Sequence, residues 1–196
     1  MPRKKSIKRC ASEFVAKADE LEAFLASSAA GLSDKEQSWC HDYAIIRLYR
    51  EFEQMMLSAI VGAINNDTAT IAYSTGIDFP KHLTDEVCEY LVLGGGYFDF
   101  KGRDGLIKQL KKYVPDNHYL LTIVRQARYR QPLERLTALR NYAAHESAQS
   151  KRAVLQATGQ QRIGSAGSWL KTQGRYTTLS GELRHLGQEI QNVAPY

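Results

Sequence analysis

The sequence predicts an all-α bundle with short connections and one or two insertions. Three observations support this. Apolar residues recur at three- and four-residue steps through nearly the whole chain. Helix-start signals stand at Ser33, Thr84, Pro115 and Pro132. Strand-like alternation is confined to Tyr97–Lys101, where a short hairpin is the one expected exception. This patterning predicts at least about 60% helix.

The first helix spans about Lys8 to Ala29, with Phe14, Ala18, Leu21 and Leu25 on one face and Gly31 as its stop. Ser33 opens the next helix, and Glu36 completes a capping box with it. That helix runs to about Asn65. Its stripe of Tyr43, Ile46, Tyr49 or Arg50, Phe52, Met56, Ala59, Ile60 and Ala63 marks it as the spine of the fold. Thr84 caps a short helix to Leu93, with Val87, Tyr90 and Leu91 expected inward. The glycine-rich stretch from Leu93 to Gly105 reads as a loop. Further helices are expected from Asp104 to Tyr113, from Asn117 to Arg128, and from Gln131-Pro132 through Leu133, Leu136 and Leu139 to His145. Residues 147–177 read as part helix, part loop. Thr178 to Val193 closes the chain, with Leu179, Leu183, Leu186 and Ile190 inward.

Composition narrows the function. The chain is 43% hydrophobic and 24% charged, an ordinary globular balance that excludes a disordered tail or a fibre. The longest apolar run, Met55–Ile64, is half of what a spanning helix needs. The basic N-terminus lacks an apolar segment behind it, so no secretory signal is expected. Cys10, Cys40 and Cys88 then belong in a reducing cytoplasm, unpaired. Charge is unevenly spread. Residues 10–100 carry 5 basic and 15 acidic side chains, whereas residues 101–196 carry 16 basic and 6 acidic. A basic second half suits a polyanionic partner.

Several chemistries are set aside. Gly94-Gly95-Gly96 has no Lys-Ser/Thr after it and no strand before it, so it is not a phosphate-cradling loop. His41, His82, His118, His145 and His185 have no metal-ligand spacing, and no metal or cofactor is expected. Cys40 and His41 are adjacent helix positions about 100° apart, which does not make a nucleophile–base pair.

A sharper signal lies in Leu139-Arg140-Asn141-Tyr142-Ala143-Ala144-His145-Glu146-Ser147. On a helix, Asn141 and His145 share a face. Arg140 and His145 differ by about 140° and about 7.5 Å of rise, flanking one groove edge. Leu136, Leu139 and Ala143 take the core side. Arginine offers a fork of donors that matches phosphate, and histidine transfers protons near neutral pH. Together they suffice to cleave RNA through its own 2′-hydroxyl, with the imidazole moving the proton and the guanidinium stabilising charge on the phosphorus oxygens. A second copy of the chain would supply the complementary acid or base. Tyr142 and Ala143-Ala144 would then pack near the dimer interface. Lys108, Lys111, Lys112, Arg125, Arg128 and Arg130 are expected to supply the field that holds RNA.

The Arg140–His145 stretch, late in an all-α chain, resembles the R-N-x-x-x-H motif of the HEPN superfamily, and LTALRNYAAHES is similar to the motif helix of its RiboL-PSP-type branch. The earlier Tyr49-Arg50-Glu51-Phe52-Glu53 looks like that family's first core helix. The resemblance covers about Trp39 to Val193. It implies a single domain of four to five core helices, with residues 1–32 as a basic N-terminal extension and 66–100 as an insertion. It further implies a homodimer with the motif helices facing, and metal-independent endoribonuclease activity of toxin–antitoxin or phage-defence type. An antitoxin or defence-system protein is then an implied partner. Arg140 and His145 map onto the catalytic pair, and Asn141 onto the polar position after the arginine. Ser147 stands where the branch silenced by nucleotidyltransferase antitoxins carries tyrosine, which speaks against that mode of silencing.

Plainer alternatives stand beside this. Arg140 as a surface arginine would pair with Glu134, Glu146 or Glu53, and His145 would simply cap its helix. A non-catalytic HEPN RNA-binding or adaptor protein, or a helical partner of an acidic protein, would show the same basic half.

Overall fold

The computed structural model describes residues 5–28 and 30–195. Helix accounts for 74% of the structure, and no strand forms among the described residues. In chain order the helices are α1 (Ile7–Ser28), α2 (Asp34–Asn66), α3 (Ala69–Thr75), α4 (Asp85–Leu93), α5 (Gly102–Leu110), α6 (Tyr119–Val124), α7 (Arg130–His145), α8 (Ala148–Thr158), α9 (Ala166–Leu170) and α10 (Arg175–Val193). A 3-10 turn, Ala127–Tyr129, leads into α7. Ala29, the expected end of the first helix, and the N-terminal Arg3 and Lys4 lie outside the described residues.

α2 is the axis around which the rest is arranged. Its start is the capping box read from the sequence: Ser33 accepts from the Glu36 amide, and the Glu36 carboxylate accepts from the Ser33 amide at 2.7 Å. From Met55 to Asn65 every residue is buried, so the second half is enclosed on all sides rather than along one stripe. α1, α4, α7 and α9 pack directly on it. Phe14 of α1 meets Phe52 of α2 edge-on at 5.7 Å. α10 closes the far side, with Leu183, Leu186 and Ile190 fully buried.

Where the structure departs from the sequence reading, the cause is tertiary packing. Tyr43 stays exposed, edge-on to Phe24 of α1, while the opposite side of the same turns, at Ser38 and Asp42, packs on α9. On α4 the inward residue is Cys88, while Val87 and Tyr90 are exposed; the helix is rotated so that its smaller face meets α2. α5 starts at Gly102, two residues before the expected Asp104. α6 is shorter than expected at both ends: His118 takes the N-cap position and accepts from the Leu120 amide, and the helix stops at Val124 ahead of the 3-10 turn. Residues 147–177 hold two helices, each opened by a serine cap: Ser147 for α8 and Ser165 for α9. The Tyr97–Lys101 segment makes no hairpin. It is one irregular strap, with Phe100 buried and Phe98 half-buried.

The α2–α9 contact is unusually close. A Cβ on Gly167 would lie 1.9 Å from the Ser38 carbonyl oxygen, and the Gly167 amide donates to Asp42 at 2.6 Å. Only glycine fits there. Gly167→Ala should therefore lower the melting temperature by several degrees, as overpacking of ~1–3 kcal/mol does in a chain of this size. Thermal denaturation checks this; an unchanged melting temperature would show that α9 shifts freely.

Candidate functional site

Arg140 sits in the third turn of α7, opposite the middle of α2. Leu136 and Leu139 anchor this face of α7 in the core. That leaves Arg140 half-buried, with its guanidinium lying 4.4 Å over the ring of Tyr49. The same ring stacks on Phe100 of the strap at 5.1 Å and 14°. The Tyr49 hydroxyl lies 3.3 Å from both the Phe100 carbonyl and Asp99 Oδ1. Burial pushes this phenol well above its ordinary pKa, so it stays protonated and a donor.

One donor of the Arg140 fork, Nη1, is used at 2.8 Å on Asn141 Oδ1. Arg140 forms no ion pair among the described residues, so neither Glu134, Glu146 nor Glu53 takes the role the plainer alternative gave them. The guanidinium is thus positioned by a ring face and an amide, and the rest of its fork opens on a cleft of about 870 Å³. Arg50, Glu53, Asp99, Lys101 and Asn141 also line this cleft, as does the strap from Gly96 to Phe100. Three cations face two carboxylates there.

Glu53 is the half-buried acid of the cleft. Burial raises its carboxyl pKa, and the neighbouring Arg140 charge only partly offsets this.

His145 is the last residue of α7. The chain breaks immediately after it: Glu146 adopts left-handed backbone with φ 44°, and Ser147 caps α8. His145 is exposed and lies outside the lining of the cleft. It is also the one histidine without a hydrogen bond, ion pair or ring contact among the described residues. His41 bonds the Gln37 carbonyl, His82 the Asn65 carbonyl, His118 caps α6, and His185 lies 2.9 Å from Arg128. Tyr142 is buried within the chain, and its hydroxyl donates to the Gly164 carbonyl at 2.7 Å.

The expected RNA-binding cations do not form one free field. Arg125 and Lys111 both engage Asp116, at 2.5 and 3.7 Å. Arg128 is paired with Glu189 and stacked over Tyr129. Arg130 pairs with Glu134 at 3.2 Å. Lys108 and Lys112 are exposed and have no ion pair among the described residues. The sequence reading missed Arg50, Lys101 and Glu53 as cleft residues. Lys101 ends the alternating strap, and Arg50 and Glu53 lie in the same helical turn as Tyr49. That clustering was the available signal. Among the described residues no group of three His, Cys, Asp or Glu is placed to hold a metal ion, and no helix is long and apolar enough to cross a membrane.

No family model, no curated protein and no solved structure matches this chain.

The raised carboxyl of Glu53 has a consequence for stability. The folded state holds its proton more tightly than the unfolded state does, so stability falls as pH rises from the ordinary glutamate range through the folded pKa. Glu53→Gln removes this cost. Melting temperatures of the two proteins should nearly coincide near pH 4, and the variant should be the more stable at pH 7. A larger gap at pH 4 than at pH 7 would contradict the assignment.

Proposed function

We propose that this chain is a metal-independent endoribonuclease of HEPN type, acting as a homodimer in a toxin–antitoxin or phage-defence role. The observation that supports this best is Arg140: a half-buried guanidinium, held by Tyr49 and Asn141 rather than by a carboxylate, and open to a cleft. A side chain held this way has its strongest acceptor still to come, and a phosphate fits the fork. The unengaged imidazole of His145 lies on the same helix, toward the break before α8.

In the proposed reaction, His145 takes the proton from a ribose 2′-hydroxyl, and the 2′-oxygen attacks the adjacent phosphorus. The bond to the 5′-oxygen breaks, and that oxygen leaves with a proton from a second acid. Arg140 donates to the non-bridging oxygens, where charge develops. Asn141 holds the guanidinium as a positioning residue. His145 and the Arg140 cleft do not share one cavity within a chain, which favours a dimer: two α7 ends facing one another would bring the imidazole of one copy toward the cleft of the other. The products are a 2′,3′-cyclic phosphate and a 5′-hydroxyl.

The test compares wild type with His145→Ala on the same RNA, with and without EDTA. Wild-type cleavage should persist in EDTA. His145→Ala should lower the rate by ~10²–10⁴-fold, and Arg140→Lys should leave most of the Arg140→Ala defect in place because the fork is lost. Equal cleavage by wild type and His145→Ala would overturn the reading. Cleavage by neither, with RNA still bound, would make the chain a non-catalytic RNA-binding protein.

A further inference from the structure

The strap that borders the cleft has a division of labour that the ribonuclease reading does not use. Burial alternates along residues 97–101: Tyr97, Asp99 and Lys101 are exposed, Phe98 is half-buried and Phe100 is buried. Phe98 and Phe100 turn inward and contact each other with ring centroids 6.5 Å apart, and Phe100 continues the stack to Tyr49. Tyr97 turns outward and is 97% exposed, although it lines the same cleft as Arg140. Gly94 and Gly95, at φ 56° and 79°, make the turn that carries the chain out to it, a conformation that side-chain-bearing residues rarely adopt. An aromatic ring left fully in water gains nothing for the fold. Beside an open arginine fork, it has the properties of a stacking platform.

We propose that Tyr97 stacks an unpaired nucleobase of an RNA strand whose neighbouring phosphate is held by Arg140, with Lys101 and Arg50 tracking the backbone. The inference rests on the ribonuclease reading for its ligand class and goes beyond it in two ways: the strand must be single, and the base is gripped by a face contact that tolerates every sequence. A base within a duplex has both faces covered and is not available to such a platform. Stacking of this kind is read by every base because each has a π-face. Lys101 and Arg50 are exposed on the cleft wall and have no ion pair among the described residues, so their charge is available to the phosphates.

The experiment uses the full chain carrying His145→Ala, so that RNA survives, and a short single-stranded oligoribonucleotide containing 2-aminopurine. Binding should quench the 2-aminopurine fluorescence. Tyr97→Ala in this background should bind about 5- to 150-fold more weakly and lose the quench, while Tyr97→Phe, which keeps the ring, should restore both. Because Tyr97 is exposed, its removal leaves the fold intact, and an unchanged melting temperature verifies this. The same RNA as a duplex should bind more weakly than the single strand. Unchanged affinity and quench in Tyr97→Ala, or equal affinity for duplex and single strand, would overturn the inference. Ring-dependent binding by a chain whose wild type does not cleave would remove the ribonuclease reading and leave the base site standing.

Discussion

The site depends on one ring. Tyr49 lies on the enclosed spine α2, and it is where three separate parts of the chain meet. The strap from Tyr97 to Lys101 is pinned to it through Phe100, and α7 is tied to it through Arg140. The ring is 1% exposed, so its position is set by the core rather than by the site. A guanidinium over such a face is oriented without being neutralised. An ion pair would have oriented it as well, but would have competed with any anion entering the cleft.

The cleft keeps a second group under strain of a different kind. Glu53 is half-buried close to the Arg140 charge, yet burial still dominates its titration. Its ionised form therefore costs stability in the folded chain, and a glutamine of the same shape would avoid that cost. Cleft residues whose titration is displaced by burial beside a specific charge partner are a frequent mark of functional sites. The same cannot be said of the arginines between the end of α6 and the start of α7. Arg125, Arg128 and Arg130 are each matched to a carboxylate within the chain.

Much of this was legible in the sequence. The cap at Ser33, the cap at Thr84, the core stripe of α10 and the buried Leu133, Leu136 and Leu139 of α7 all follow from local patterning, because each is decided within a turn or two of helix. The rotation of α4 was not legible, since Val87 and Cys88 are both apolar and only the shape of α2 decides which enters the core. In residues 147–177, read as part helix and part loop, the separate start of α8 was not legible, because the break before it rests on left-handed backbone at Glu146 rather than on a glycine or proline. At the site, the sequence pointed to Arg140, Asn141 and His145 as a linear set. It could not show that Arg140 and Asn141 look into the cleft while His145 ends the helix outside it. Nor could it bring Tyr49, Phe100 and Lys101 to the same place, because those contacts join residues about 40 to 90 positions apart.

The central claim is that the Arg140 guanidinium is an open phosphate site held in place by Tyr49 and Asn141. The most direct measurement is the side-chain Nε–H resonance of Arg140, assigned by its loss in Arg140→Lys, during titration of the full chain with a 2′-O-methyl oligoribonucleotide that resists cleavage. The account predicts a saturable shift of that resonance, following the same binding curve as the backbone amides around Tyr97 and Lys101. A resonance that stays fixed while other parts of the protein respond to the RNA would contradict it.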